Sequence, residues 1–235
     1  MPRFFAERVD NGVAFLSKEE AHHAVDVMRL RAGDALQVIR EGLIYEGTLI
    51  SETEGTVRVG EPLPSREPTV SVTLYQGLPK GDKMDLICQK CTEAGITRVV
   101  PVLMERCVAK TDAKDAEKKR LRWQRIAEEA AKQSGRAVVP EITLPVTVKQ
   151  LAERLSGHEL ALVPWEEACG QSVRTAWQGQ RDVAVVIGPE GGISPKEIAL
   201  MASAVPVTLG PRIFRTETAG LAALIEIMCL SGNME

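Results

Sequence analysis

The chain has 235 residues, 44% of them hydrophobic and 26% charged, with a net charge of −3 at pH 7. That balance excludes a disordered or fibrous chain and lacks the overall basic character of a typical nucleic-acid binder. No apolar run reaches membrane-spanning length, the first residues carry no signal-peptide apolar region, and five irregularly spaced cysteines suit a reducing compartment, so a cytoplasmic protein is expected.

In chain order, Ser17 and Glu20 form a capping-box pair that predicts a helix ending near Arg29. Short strands are predicted over 35–39, 43–50 and 56–59, with Glu41-Gly42 as a turn, a pattern that suits a small barrel. Three prolines within 62–68 then favour an extended linker. The expected domains are therefore 1–66 and 69–235.

Beyond the linker, strand and helix alternate. Strands are predicted over 70–76, 98–103, 160–163, 183–187 and 206–209, and helices over 83–94, 118–134, 148–155, 196–204 and 217–230. Gly95 and Gly135 stop two of the helices, and Ser194-Pro195 with Glu197 starts another. Such alternation implies an α/β fold with a mainly parallel sheet covered by helices. Between 105 and 136, ten basic residues face six acidic ones, a local +4 that is either a phosphate-attracting face or an ordinary solvated helix.

Three motifs invite chemistry that the spacing does not support. The stretch GLPKGDK over 77–83 looks like a phosphate loop, but Gly77 and Gly81 are too close and Met84 follows the lysine. Cys88 and Cys91 fall inside a helical pattern with no second pair, so no metal is expected. No G-x-G-x-x-G follows a strand, which argues against a nicotinamide enzyme.

Two other loops are more informative. The apolar strand ending at Ile187 runs into Gly188-Pro189-Glu190-Gly191-Gly192-Ile193-Ser194 and then a capped helix. The strand ending at Leu209 runs into Gly210-Pro211-Arg212-Ile213-Phe214-Arg215-Thr216-Glu217-Thr218 and another helix. Glycines after strand ends let the backbone approach a ligand closely, and ligands of open α/β sheets bind at those ends. A ligand site built from both loops is expected.

Written IGPEGGIS and LGPRIFRTETA, the two loops resemble the C-terminal signature of the SPOUT superfamily and, more narrowly, of the ribosomal small-subunit methyltransferase E family. The stretches QGLPKGDKM from 76, QKCTEAG from 89, Arg122-Trp123 with EAAKQSGR from 129, and His22-His23 with RLRAGD from 29 extend the resemblance over nearly the whole chain. Cys91, Ala94 and Phe214 depart from the family pattern, none at a charged or glycine position.

The resemblance implies a SPOUT-like parallel sheet with a trefoil knot, preceded by a PUA-like, RNA-binding β-barrel. It implies S-adenosylmethionine as cofactor, N3 of a uridine in 16S rRNA as target, an assembled small ribosomal subunit as context, and a homodimer. Other activities left open are methylation of another base or of ribose, or non-catalytic rRNA binding in assembly. Expected cofactor contacts come from Val163, Gly188, Glu190, Gly191, Gly192, Leu209, Gly210, Ile213, Arg215, Thr216, Glu217 and Thr218. Methylating N3 requires loss of its proton, which a nearby cation or a base promotes. Arg215 is the first candidate for the cation and Arg136 the second; either can instead bind a phosphate or the cofactor carboxylate. Glu217 is a candidate base, an amine ligand or a helix cap. Arg3, Arg29, Arg31, Arg106, Arg122 and Arg125 are candidates for RNA phosphate contacts.

Overall fold

Asn11 and Gly12 turn the chain at positive φ, 47° and 75°. They join β1 (Arg3–Asp10) antiparallel to β2 (Val13–Leu16) in the hairpin geometry that Asn-Gly favours. Neither strand is among those predicted above. This is a computed structural model that describes residues 1–108, 113–168 and 170–235; Lys110 and Asp112 of the basic stretch lie outside them.

Ser17 caps α1 (Lys18–His22), accepting the Glu20 N–H at 3.1 Å, and the helix widens into a π-helical turn over His23–Val27. Arg29, at φ 59°, stops it. Strands β3 (Ala35–Arg40), β4 (Leu43–Ser51) and β5 (Thr56–Pro62) complete a closed barrel in the order β1-β2-β5-β4-β3, with β1 and β3 parallel. Phe4, Leu36, Val38, Leu49 and Val57 fill its interior.

The compact unit containing the barrel is Met1–Glu67 together with Ala131–Val138. Glu67 holds the later segment: its carboxylate accepts Arg136 Nη2 at 2.7 Å and the N–H groups of Ala137 and Val138 at 2.7 and 3.1 Å. Lys132 pairs with Glu20 at 2.6 Å, and Arg3 donates to the Lys132 carbonyl at 3.0 Å. Arg3 thereby adds a donor at a carbonyl in the last turn of the helix.

The second unit is Pro68–Ala130 with Val139–Glu235. Its elements are β6 (Ser71–Gly77), α2 (Lys83–Glu93), β7 (Arg98–Leu103), α3 (Ala113–Ser134, whose last turn belongs to the first unit), β8 (Glu141–Ile142), β9 (Val146–Thr147), α4 (Val148–Leu155), β10 (Leu160–Pro164), α5 (Val173–Ala176), β11 (Asp182–Ile187), α6 (Pro195–Leu200), β12 (Val205–Val207) and α7 (Thr216–Leu230). Every pairing in the sheet is parallel, in the order β12-β10-β11-β6-β7-β8, with β9 also on β7.

Helices cover both faces of this sheet, which explains the uninterrupted apolar run of β11. Val183, Val185 and Ile187 pack with Val72, Leu74, Ile87 and, from α7, Leu224 and Ile227. The alternate residues Ala184 and Val186 pack with Tyr75, Val100, Val102 and Leu151 on the other side. The parallel register pairs Ile187 with Gln76 and so brings the loop after β11 beside Gly77. Among the described residues no helix is long and apolar enough to cross a membrane.

Candidate active site

A cleft of about 600 Å³ opens where β10, β11 and β12 end, within the range of small-molecule sites. Three loops line it, each with the end of an adjoining element: Pro164 at the end of β10 with Trp165 and Glu166 beyond it, residues 188–193 after β11, and residues 208–215 after β12 with Thr216 at the start of α7. This is the carboxyl edge of the parallel strands, where open α/β sheets bind ligands.

At and beside these loops, glycine is needed where neighbouring atoms leave no room for a side chain. A Cβ on Gly77 would stand 2.7 Å from the Pro189 nitrogen, so only glycine lets the end of β6 abut the loop after β11. A Cβ on Gly191 would stand 3.0 Å from the Cβ of Arg106. Arg106 lies across this loop and donates from Nη1 to the Gly191 carbonyl at 2.8 Å. The loop then enters α6 through a capping box of Ser194 and Glu197 with Pro195 in the first turn. Buried Glu197 also accepts the Glu105 N–H at 2.8 Å, and the Ser194 hydroxyl donates to Glu105 at 2.8 Å. The loop is thus fixed from β7's side as well as from its own helix.

The second loop is fixed by Thr216. Its hydroxyl donates to the Gly188 carbonyl at 2.6 Å and accepts from Nε2 of fully buried Gln76 at 2.9 Å. Glu217 is tied elsewhere: Lys83 Nζ lies 3.2 Å from Glu217 Oε2 and 2.9 Å from Glu190 Oε1. The hydrogen bond to Glu190 is the main cause holding the Lys83 ammonium above the ordinary lysine value, with Glu217 adding to it against burial. Burial pushes the Glu190 carboxyl up, but Lys83, the Lys80 N–H and its own N–H outweigh that and hold it below the usual range.

The cleft brings together Gly188, Glu190, Gly191, Gly192, Leu209, Gly210, Ile213, Arg215 and Thr216. Val163, Glu217 and Thr218 do not line it. Val163 is buried in the core one residue short of the cleft, whereas Pro164, Trp165 and Glu166, which sequence reasoning missed, reach it. The helical repeat explains the other two: Thr216 and Ala219, three apart, share the cleft-facing side of α7, and the residues between them turn away.

Arg215 precedes α7, is exposed and lines the cleft, with no ion pair or side-chain hydrogen bond among the described residues. Arg136 is buried in the first unit against Glu67 and is not among the lining residues. Of the arginines expected to meet RNA, Arg3 is engaged with Gln37 and Lys132, Arg31 with Glu52, and Arg122 with Asp82 and Asp85. Arg29 and Arg125 are exposed. The +4 of the 105–136 stretch is partly offset, because Asp82, Asp85, Glu20 and Glu67 all come from outside it. Cys88 and Cys91 are buried in α2; burial pushes the Cys91 thiol up to about 12 and raises Cys88 as well, so neither is a ready thiolate ligand.

Comparison with known proteins agrees with this arrangement. A family model for the RNA methyltransferase domain matches residues 65–228, and one for the RNA methyltransferase PUA domain matches 16–61. The barrel is accordingly PUA-like. The chain is 36% identical to the ribosomal RNA small subunit methyltransferase E of Bacillus subtilis, covering 97% of this chain and 96% of that one. Among solved structures, a ribosomal RNA small subunit methyltransferase E from Neisseria gonorrhoeae bound to S-adenosyl methionine superposes with TM-score 0.86 at 29% identity, covering 98% of each chain. A putative methyltransferase from Legionella pneumophila in complex with S-adenosylmethionine superposes with TM-score 0.86 at 31% identity, covering 97% of this chain and 96% of that one. With its RNA methyltransferase domain, its PUA-like barrel and its loop-lined cleft, the chain belongs to the ribosomal RNA small subunit methyltransferase E family.

Proposed function

We propose that this protein transfers a methyl group from S-adenosylmethionine to N3 of a uridine in 16S rRNA, acting in the cytoplasm on an assembled small subunit. The observation that carries the reading is the position of Arg215, at the start of α7 on the cleft wall, a cation with no ion pair or side-chain hydrogen bond among the described residues, whereas the lining carboxylate Glu190 is already held by Lys83. The domains follow the same reading, with 1–66 as the RNA-binding domain and 69–235 as the methyltransferase domain containing a trefoil knot.

The cleft suits the cofactor in size and in the backbone it offers. Gly188, Gly191, Leu209, Gly210 and Ile213 would hold the adenosine, with Trp165 on the third wall. Bound there, S-adenosylmethionine supplies an electrophilic methyl group that needs no metal. What the protein must supply is the N3 anion. The uridine pKa lies roughly two units above neutral, which costs on the order of 3 kcal/mol at ~1.4 kcal/mol per unit. Arg215 stabilises that anion as the N3 proton passes to solvent, and the fixed loops align N3 with the methyl group, so that the new N3–carbon bond would form as the carbon–sulfur bond breaks and the neutral thioether leaves. Glu217, held by Lys83 and turned from the cleft, is the weaker candidate for a base.

The proposed assembly is a homodimer. Helix α7 buries Gly220, Ala223, Leu224, Ile227 and Met228, yet Ile225 and Cys229 remain exposed beside the half-buried Leu221 and Ala222. A second copy covering that stripe would bury a helix that is apolar nearly all round.

Incubation of the protein with labelled S-adenosylmethionine and small subunits from cells lacking it tests the enzymatic reading. Label is expected in 16S rRNA. Cofactor binding without transfer to any rRNA would favour a binding factor over an enzyme.

A further inference from the structure

The 77–83 turn, which resembles a phosphate loop without its spacing, has a different use in the fold. It leads into α2, whose first residue, Lys83, reaches the loop after β11 and the first turn of α7. Lys83 Nζ lies 2.9 Å from Glu190 in the loop after β11 and 3.2 Å from Glu217 in the first turn of α7. The same turn adds a backbone link, the Lys80 N–H to Glu190 at 3.0 Å, and Gly77 abuts Pro189. An isolated surface ion pair contributes little. This cluster differs because its three side chains are only 30%, 25% and 21% exposed, and because one carboxylate belongs to the loop after β11 and the other to the first turn of α7, next to the loop after β12. Two like charges gathered about one ammonium repel each other once it is removed. Glu217 Oε2 is buried and makes no hydrogen bond of good geometry, so the ion pair with Lys83 is what compensates it.

We infer that Lys83 is a positioning residue for the cleft: its ammonium couples Glu190 to Glu217 and holds the two loops at the spacing the cofactor requires. Lys83 does not line the cleft, so its effect on the cofactor passes through the two glutamates. The inference rests on reading the cleft as the S-adenosylmethionine site. It makes the order of the chain intelligible, since the first strand-to-helix junction of the second unit braces the last two.

Titration calorimetry with S-adenosylmethionine tests it on the wild type, Lys83→Met, Lys83→Arg and the triple variant Lys83→Met/Glu190→Gln/Glu217→Gln. Lys83→Met is expected to weaken binding by roughly tenfold, within the range of coupled sites. Lys83→Arg should recover most of that loss. The triple variant should bind more tightly than Lys83→Met, because it removes the repulsion along with the cation. In methylation kinetics the loss should appear in KM for the cofactor rather than in the rate at saturation. Should Lys83→Met fail to fold, Glu190→Gln/Glu217→Gln becomes the deciding variant, with a similar loss expected. Equal affinity of wild type and Lys83→Met overturns the positioning role, and so does a triple variant no better than Lys83→Met. No binding by the wild type would instead overturn the cofactor assignment itself.

Discussion

The Thr216 hydroxyl donates to the Gly188 carbonyl at 2.6 Å, so the first residue of α7 is bonded directly to the loop after β11. The same oxygen accepts from Gln76 Nε2 at 2.9 Å, which ties both loops to the end of β6. Thr216→Val keeps the shape but takes the hydroxyl donor from the Gly188 carbonyl and leaves one N–H of the buried Gln76 amide without its acceptor, while the amide keeps its bond to the Gly77 carbonyl. Leaving buried polar groups unpaired costs about 1–3 kcal/mol. Urea denaturation should show a midpoint lowered accordingly with the slope unchanged, while Thr216→Ser should lie near the wild type. An unchanged midpoint for Thr216→Val would show that this bond does not fix the loops.

Arg215 is expected to act on the transition state rather than on binding. Removing a donor aimed at developing charge typically costs ~10²–10³ in rate. Single-turnover methylation by Arg215→Ala should fall by about that factor, with cofactor and RNA affinities little changed. Raising the pH toward the uridine pKa should partly rescue the variant, because solvent then supplies the anion. Arg215→Lys should recover only part of the loss, since a point charge lacks the planar fork. Lost cofactor affinity with a full rate at saturation would make Arg215 a binding residue.

The parallel sheet was legible because its strands are buried on both faces and so read as apolar runs. The two loops were legible because glycines follow those runs. The hairpin β1–β2 was not: an irregularity between Ala6 and Arg8 breaks the alternation on which strand reading depends, although Asn11-Gly12 was an available turn signal. The two-residue strands β8 and β9 are too short for any periodicity. Tertiary pairing is invisible in linear sequence, so Lys83 and the capture of Ala131–Val138 by Glu67 left no local trace. That Glu217 and Thr218 turn from the cleft lining is not legible either, because a linear motif does not show where helical rotation begins.

RNA affinity should fall with salt, and the structure separates two arginines on α3. Arg125 is exposed, whereas Arg122 is tied to Asp82 and Asp85. In binding titrations at rising salt, Arg125→Ala should make the log–log slope shallower by about one, as expected for a lost phosphate contact. Arg122→Ala should change it less. A slope unaffected by Arg125→Ala would remove this face of α3 from the RNA interface.

The exposed stripe on α7 bears on the oligomeric state. Sedimentation at micromolar concentration should give a dimer for the wild type and a monomer for Ile225→Glu, which places a charge in the middle of the stripe. A monomeric wild type would contradict the proposed homodimer, and a dimeric Ile225→Glu would move the interface elsewhere.

The position of the transferred methyl group is the most direct test of the proposed reaction. Small subunits from cells lacking the protein would be treated with the purified protein and S-adenosylmethionine, and their 16S rRNA digested to nucleosides for mass spectrometry. A single 3-methyluridine, absent without the protein and absent with Arg215→Ala at short times, is the expected result. Methyl groups on ribose or on another base, or no methylated nucleoside at all, would contradict it.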